Sequence, residues 1–424
     1  GGRWALLWAA AGSAVGLGNI WRFPYLAAKD NGGVFILVYI ILALTFGFTL
    51  LTTDIAIGRK TRQGPLTAYG LIHKKWKWLG GLAWIVPVII LPYYCTIGGW
   101  VLKYMTAYFT GQTEAATGDG YFTGFITAQT APIVFALIFL TATGVVVFCG
   151  VEKGIEKFSK VLMPILVLLI IGISIYSLTI KHTGDDGTIR TGIDGLKVYL
   201  IPDFKGMTFR DIFMVVMDAM GQLFFSISVA MGIMVAYGSY VKKDVNLMKS
   251  INQIEIFDTA VAFLAGLMIV PAVYVFSGTE GMSAALDLCS YLCQRYSMPW
   301  VRSEQSSEPC SSSWLHLRRS HPQYRSWKRY AGLMDKFHLT RKKSAVITTV
   351  YAVVGMLVVC FGYNIWYFEL KLPNGATAQI LDVMDYLSNN IFMPLVAILS
   401  CILIGWVVKP KTVIDEVTRN GEKF

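Results

Sequence analysis

The chain has 424 residues, 55% of them hydrophobic and 15% charged, with a mean hydropathy of +0.54 and a formal net charge of +11. Soluble domains carry roughly 25% charged and about 45–50% apolar residues, so disorder, a collagen-like chain and most soluble enzymes are excluded and a polytopic membrane protein is indicated. Seven cysteines are too sparse for a disulfide framework; Cys95, Cys149, Cys360 and Cys401 lie in apolar runs, where small buried thiols are expected.

A helix needs about 20 apolar residues to cross a bilayer. Nine such spans are predicted, near 5–27, 33–57, 79–108, 131–149, 161–180, 210–237, 252–276, 345–363 and 386–408. No signal peptide precedes the first. The sequence opens at Gly1 without a Met and already beside an apolar run, so a missing N-terminus is expected. The loops alternate in charge. Arg59, Lys60, Arg62, Lys74, Lys75 and Lys77 follow the second span, while the next loop holds Glu114 and Asp119 and no Lys or Arg. Lys153, Lys157 and Lys160, then Lys242 and Lys243, Arg341 to Lys343, and Lys409 and Lys411 mark the basic side. The positive-inside rule makes these loops and the N-terminus cytoplasmic. The basic excess is therefore topological, and a nucleic-acid partner is not expected, since no basic face interleaved with aromatics occurs in a soluble domain.

One stretch breaks the alternation. An odd number of crossings is needed between Gly278 and Arg341, yet Ala285 to Tyr330 is rich in Ser, Arg and Trp, holds three of the seven cysteines and contains no span. An out-of-frame segment explains this. In one alternative frame, Ser codons of the TC type become Phe, Leu, Ile or Val, and Cys and Trp codons become Leu, Met or Val. Ser306, Ser307, Cys310, Ser311, Ser312, Ser313 and Trp314 then form an apolar run, the missing eighth helix. A soluble extracellular insertion is the alternative.

The first span contains Gly12-Ser13-Ala14-Val15-Gly16-Leu17-Gly18-Asn19, then Ile20-Trp21-Arg22-Phe23-Pro24. Each Gly weakens a helix by about 1 kcal/mol relative to Ala, and a broken helix survives in lipid only where its freed backbone lines a cavity or binds something. Free carbonyls can replace water around Na⁺ and helix N-termini attract carboxylates. Gly12 and Gly16 alone would fit helix packing through small residues; Asn19 and Arg22 at membrane depth point to function. The sixth span repeats the theme with Gln222, Ser226 and Ser228 in Gln222-Leu223-Phe224-Phe225-Ser226-Ile227-Ser228-Val229-Ala230-Met231-Gly232. Ser hydroxyls bonding to their own helix are the plain alternative. Unusual first and sixth helices suggest two five-helix repeats with a site between them.

The run GSAVGLGNIWRFPYLAAKDNGG resembles the signature of the neurotransmitter:sodium symporter family, whose bacterial members transport amino acids; FFSISVAMG, YGSYVKKD and LDVMDY resemble further family segments. The resemblance covers nearly the whole chain except Ala285–Tyr330, and because bacterial relatives have a further span after the tenth helix, it implies truncation at both ends. It implies an all-α polytopic membrane protein with the leucine-transporter fold: inverted repeats of about 1–182 and 207–408 within one transporter domain, and broken first and sixth helices. It implies that the first sodium is held by the Ala14 carbonyl, Asn19, Ser226 and the substrate carboxylate. Asp258 falls at the next ligand or at the neighbouring position where chloride-independent members keep a carboxylate. Either placement puts a negative charge near sodium, so chloride is not expected to be required. The second sodium would use the Gly12 and Val15 carbonyls and a Thr-Ser pair of the eighth span, which the shifted frame restores across the codons for Ser320–Pro322.

The resemblance further implies a substrate carboxylate on the Leu17 and Gly18 amides and the Tyr94 hydroxyl. The ammonium would lie on the carbonyls of Ala14, Phe225 and Ser226 and on Ser228, with Ile90, Phe225 and Met231 lining the side-chain pocket. Amine-carrying relatives have Asp where this chain has Gly16, so Gly16 argues for an amino acid, and Met231 suits an apolar or aromatic one. Arg22 and Asp385 resemble an extracellular gate above Phe225 and Tyr94, and Asp335 a cytoplasmic gate carboxylate. The expected function is Na⁺-coupled amino-acid symport by alternating access in the cytoplasmic membrane. A non-transporting damaged product, or a sensor on the same scaffold, is the alternative. An enzyme is not expected: no nucleophile–base pair, His–carboxylate dyad or metal-spaced cluster lies in the spans.

Overall fold

The structure, a computed structural model, describes residues 16, 18–116, 118, 120–148, 151–184, 187–241, 245–282, 341–373 and 377–419. The suspected out-of-frame segment 285–330 therefore lies outside the described residues, with the predicted eighth helix.

From Gly16 the chain bends into a π-turn, Gly18–Arg22, and then α1, Phe23–Lys29, which Pro24 opens in its first turn. The second span is three collinear pieces: α2 (Gly33–Leu42), a π-turn (Ala43–Gly47) and α3 (Phe48–Thr61). A short helix, α4 (Pro65–Ile72), and a 3₁₀ turn (Lys74–Trp76) lead into α5 (Lys77–Phe109), the third span, which carries Pro87 and Pro92 internally. Neighbouring helices make such prolines tolerable in a membrane. After α6 (Thr113–Ala116) and α7 (Tyr121–Thr127) come α8 (Ala131–Phe148) and α9 (Val151–Thr179). α9 starts ten residues before the predicted span at 161, so the backbone of Lys153, Lys157 and Lys160 lies on the helix and not in a loop.

An antiparallel hairpin, β1 (Lys181–Thr183) with β2 (Ile189–Thr191), precedes α10 (Gly192–Leu200). The sixth span begins at α11 (Phe209–Ser226), where Thr208 and Asp211 form a capping box with bonds of 3.3 and 2.8 Å. It breaks at Ile227–Gly232 and resumes as α12 (Ile233–Gly238). The seventh, α13 (Leu247–Met282), turns at Gly278, whose φ of 64° is left-handed. α14 (Arg341–Phe361), a second hairpin of β3 (Leu370–Lys371) and β4 (Thr377–Ala378), and α15 (Ile380–Tyr386) follow. The last span continues through a π-turn (Leu387–Phe392), α16 (Met393–Ile402) and a π-turn (Leu403–Val407), and α17 (Lys411–Val417) lies beyond it.

Among the described residues, four helices are long and apolar enough to cross a bilayer: Gly33–Thr61, Lys74–Phe109, Leu247–Gly278 and Ile380–Val407. The bent pair Tyr121–Thr127 and Ala131–Gly144 would be a fifth, and Pro164–Thr179 and Val346–Phe361 are shorter apolar helices. The packing that positions the centre relies on small residues: a Cβ at Gly58 would collide with the Val235 carbonyl, and one at Gly238 with the Ile55 carbonyl, so α3 and α12 touch backbone to backbone. Large exposed apolar side chains, including Leu44, Leu168, Ile398 and Trp406, coat the outside, as a lipid-facing surface requires.

Candidate ion and substrate site

The polar centre forms where helices are interrupted. Three side chains from the first, sixth and seventh spans meet there, all nearly inaccessible: Asn19 at 0%, Ser226 at 5% and Asp258 at 0% exposure. Asn19 Nδ2 donates to Asp258 Oδ1 at 2.8 Å, to the Asp258 carbonyl at 3.1 Å and to Ser226 Oγ at 3.0 Å. Ser226 Oγ in turn donates to Asp258 Oδ2 at 2.6 Å. The Gly16 amide donates to Asn19 Oδ1 at 2.9 Å and holds that side chain in place. Three oxygens, one of them from a carboxylate, thus converge on Asn19 Nδ2. An oxygen-rich set with a single carboxylate suits a small hard monovalent cation, and the residues present fit Na⁺. Asp258 makes this contact directly, and Ser226 bonds across helices, not back to its own.

The break in the sixth span has a local cause. Ser228 and Ala230 take left-handed φ values of 58° and 56°, and Gly232 follows at 71°; the first two strain an L side chain, so their surroundings must hold them. Ile227 N bonds to the Leu223 carbonyl and Val229 N to the Phe224 carbonyl, both at 3.1 Å. The carbonyls of Phe225 and Ser226 have no backbone partner among the described residues, as follows where a helix ends. Asp54, on α3 in the later part of the second span and 1% exposed, accepts from Ala230 N at 3.1 Å through Oδ2. Its other oxygen lies 3.5 Å from the Tyr69 hydroxyl. This buried carboxylate, which the sequence reading missed, anchors the unwound segment.

The expected pocket residues share one apolar cluster. Ile90, Tyr94 and Met231 are buried in it, and Phe225 packs at its margin. A Cβ at Gly18 would lie 2.9 Å from the Phe225 ring, so only glycine lets that ring cross the first span. Ser228 stands on the unwound segment. Gly12, Ala14, Val15, Leu17 and Asp335 lie outside the described residues.

Above Phe225, Arg22 Nε is 3.4 Å from Asp385 Oδ2, and its guanidinium sits 5.9 Å from the Phe225 ring centroid. Arg22 Nη1 also donates to Gln222 Oε1 at 3.1 Å, and Gln222 Nε2 donates to the Gly18 carbonyl at 2.8 Å. Asp385 is held from its far side by the Tyr93 hydroxyl at 3.2 Å and by Asn389 Nδ2 at 2.6 Å. The hydroxyl that reaches Asp385 is that of Tyr93, which the sequence reading did not single out. Glu255, one turn before Asp258, is also buried; a Cβ at Gly47 would lie 2.9 Å from its Oε1, which has no hydrogen-bond partner among the described residues. Among the described residues no cluster of three His, Cys, Asp or Glu side chains suits a transition metal.

A bundle of apolar helices with its polar centre at helix breaks is the build of a multi-pass membrane protein with a small-solute site. The profile of the sodium:neurotransmitter symporter family matches residues 1–124 and 122–283, and the chain belongs to that family. An uncharacterised sodium-dependent transporter, YhdH of Bacillus subtilis, is 34% identical over 273 residues, which are 63% of this chain and 58% of that protein. An uncharacterised sodium-dependent transporter of Haemophilus influenzae is 28% identical over 94% of this chain and 87% of its own length. The crystal structure of MhsT in complex with L-phenylalanine superimposes with a TM-score of 0.85 at 30% identity, covering 98% of this chain and 92% of that one.

Proposed function

We propose that this protein is a Na⁺-coupled amino-acid symporter that works by alternating access. The observation that carries the reading is the buried meeting of Asn19, Ser226 and Asp258 beside the broken sixth helix. A sodium ion there would take Asn19 Oδ1 after rotation of its amide, together with Ser226 Oγ and the Asp258 carboxylate. The Gly12, Ala14 and Val15 carbonyls would complete this site and a second one. Asp258 supplies the local negative charge, so chloride is not needed.

The substrate carboxylate would join the sodium and the Gly18 amide, and its ammonium the open carbonyls of Phe225 and Ser226. Ile90, Phe225 and Met231 would surround an apolar or aromatic side chain, and the likeness to MhsT, solved with L-phenylalanine, supports that choice. Arg22 and Asp385 close over the site from outside, and Asp335 belongs to the inner gate. The basic loops argue for a cytoplasmic N-terminus.

The test is uptake by the full chain in proteoliposomes under an inward sodium gradient. Accumulation of labelled phenylalanine or leucine is expected in Na⁺ and not in K⁺, unchanged when gluconate replaces chloride. Failure of every amino acid to accumulate, with or without sodium-dependent binding, overturns the transport reading.

A further inference from the structure

A cavity outside the Asn19–Ser226–Asp258 cluster lies where α4 meets α5. α4 ends at His73, whose extended backbone (φ −151°, ψ 118°) turns the chain through Lys74–Trp76 into the third span. The two helices are drawn together where Gly80 admits the Pro65 carbonyl. Between them is an open cavity of about 450 Å³ lined by Leu66, Lys75, Lys77, Trp78 and Gly81. Nothing lies within 4 Å of a Cβ placed on Gly81, so the cavity opens outward there. The Lys77 stem rests on Gly70, 3.2 Å from a Cβ position.

The chemistry of the lining is one-sided. Lys74, Lys75 and Lys77 are exposed, and none forms an ion pair among the described residues. No Asp or Glu occurs between Asp54 and Glu114 to neutralise them locally. The buried Nδ1 of His73 has no hydrogen-bond partner either. Beside these cations lie apolar groups facing out: Trp78 is 54% and Leu71 64% exposed, and Trp78 stacks on Trp76 at 5.7 Å. Lysines attract phosphate, while an outward indole belongs at headgroup depth. A soluble anion would use the lysines and leave Trp78 and Leu71 in water.

We propose that this cavity binds the headgroup of an anionic phospholipid, its phosphate between Lys75 and Lys77 and its acyl chains running along Trp78 and Leu71. The inference depends on the membrane placement of the basic loops and not on transport.

Native mass spectrometry of the detergent-purified chain, titrated with phosphatidylglycerol or phosphatidylcholine in sodium-free buffer, tests it. Wild type should retain phosphatidylglycerol in preference to phosphatidylcholine. Lys75→Gln/Lys77→Gln should weaken that retention about thirtyfold, at about fivefold or about 1 kcal/mol per lysine. Lys75→Arg/Lys77→Arg should keep it, and Lys197→Gln, an exposed lysine on α10, should leave it unchanged. Equal retention of the two lipids, or no loss in the Gln variant, overturns the proposal. Displacement of phosphatidylglycerol by millimolar inorganic phosphate also overturns it, by assigning the site to a soluble anion. Because the readout is binding without sodium, its failure is distinct from failure of uptake.

Discussion

Replacing Asp258 by Asn separates a sodium ligand from a structural acceptor. The side chain is 0% exposed and meets Asn19 at 2.8 Å and Ser226 at 2.6 Å. An Asn there can still accept from Asn19 through its oxygen and donate to Ser226 Oγ through its nitrogen, so the hydrogen bonds and the fold survive. What disappears is one buried negative charge. Two unit charges about 4 Å apart interact by about 4 kcal/mol at an effective dielectric of about 20, equivalent to nearly three decades in affinity. The amide oxygen retains part of the coordination, so the half-saturating sodium concentration should rise between about 10-fold and several hundred-fold. Sodium titration of amino-acid uptake, with sodium-dependent thermal stabilisation as a second readout, measures the shift. A half-saturation point within twofold of wild type in a folded Asp258→Asn protein would refute the ion assignment.

Other perturbations follow from the same geometry. Asp54→Ala leaves the Ala230 N–H buried without an acceptor and should cost about 1–3 kcal/mol, whereas Asp54→Asn keeps an acceptor and should cost less; thermal denaturation in detergent compares them. Arg59, 0% exposed, binds Glu416 on α17 at 2.8 Å and the Val245 carbonyl at 2.9 Å. Arg59→Leu alone should therefore cost about 3–5 kcal/mol, and Arg59→Leu/Glu416→Leu should recover most of it; equal losses in the two variants would contradict this. Asp30, in the connection between the first two spans, has its carboxyl pushed up to about 7, by burial first and then by Asp218, against the pull of Lys29. An acid held above its unfolded value of 3.8 keeps its proton better in the fold, so its contribution to stability falls from about pH 4 to about pH 7 and is then flat. Asp30→Asn should accordingly melt higher than wild type at pH 8 with the gap closing by pH 5; a gap that is equal at both would refute the assignment.

The helices were legible where a single periodic apolar run spans the bilayer, as in Lys77–Phe109, predicted at 79–108. Boundaries slipped where an amphipathic turn continues a helix past its apolar part, as at Val151–Thr179: hydropathy marks the lipid-embedded stretch, not where backbone hydrogen bonding stops. The weakness of the sixth span was legible from Gln222, Ser226 and Ser228, but its anchor was not. Asp54 sits among Leu, Thr and Ile in a strongly apolar span, and only the fold shows that it faces the Ala230 amide. Its signal was nevertheless present, since an ionisable residue at membrane depth defaults to function. The Arg59–Glu416 pair was illegible for another reason: 357 positions separate the partners, and each alone reads as a surface charge.

The Arg22–Asp385 pair and the Asn19–Ser226–Asp258 cluster are joined by the way two interrupted helices grip each other. Gly18 and Asn19 are adjacent, and Gln222 and Ser226 are one turn apart on α11. The first span holds the sixth twice, through the Gly18 carbonyl on Gln222 at 2.8 Å and through Asn19 on Ser226 at 3.0 Å. Gln222 then receives Arg22, which reaches Asp385. Turning the Asn19 amide to present its oxygen to sodium removes its donation to Ser226 and Asp258 and its acceptance from Gly16, in the residue next to Gly18. A sodium ion bound as proposed would therefore act on the same turn of backbone that holds Gln222 and, through it, the Arg22 guanidinium. Coupling requires that each ligand contact one state differently from the other. In the proposed transport cycle that difference would include the four hydrogen bonds of Asn19, so sodium binding would be linked to the Arg22–Asp385 contact through rotation of one amide.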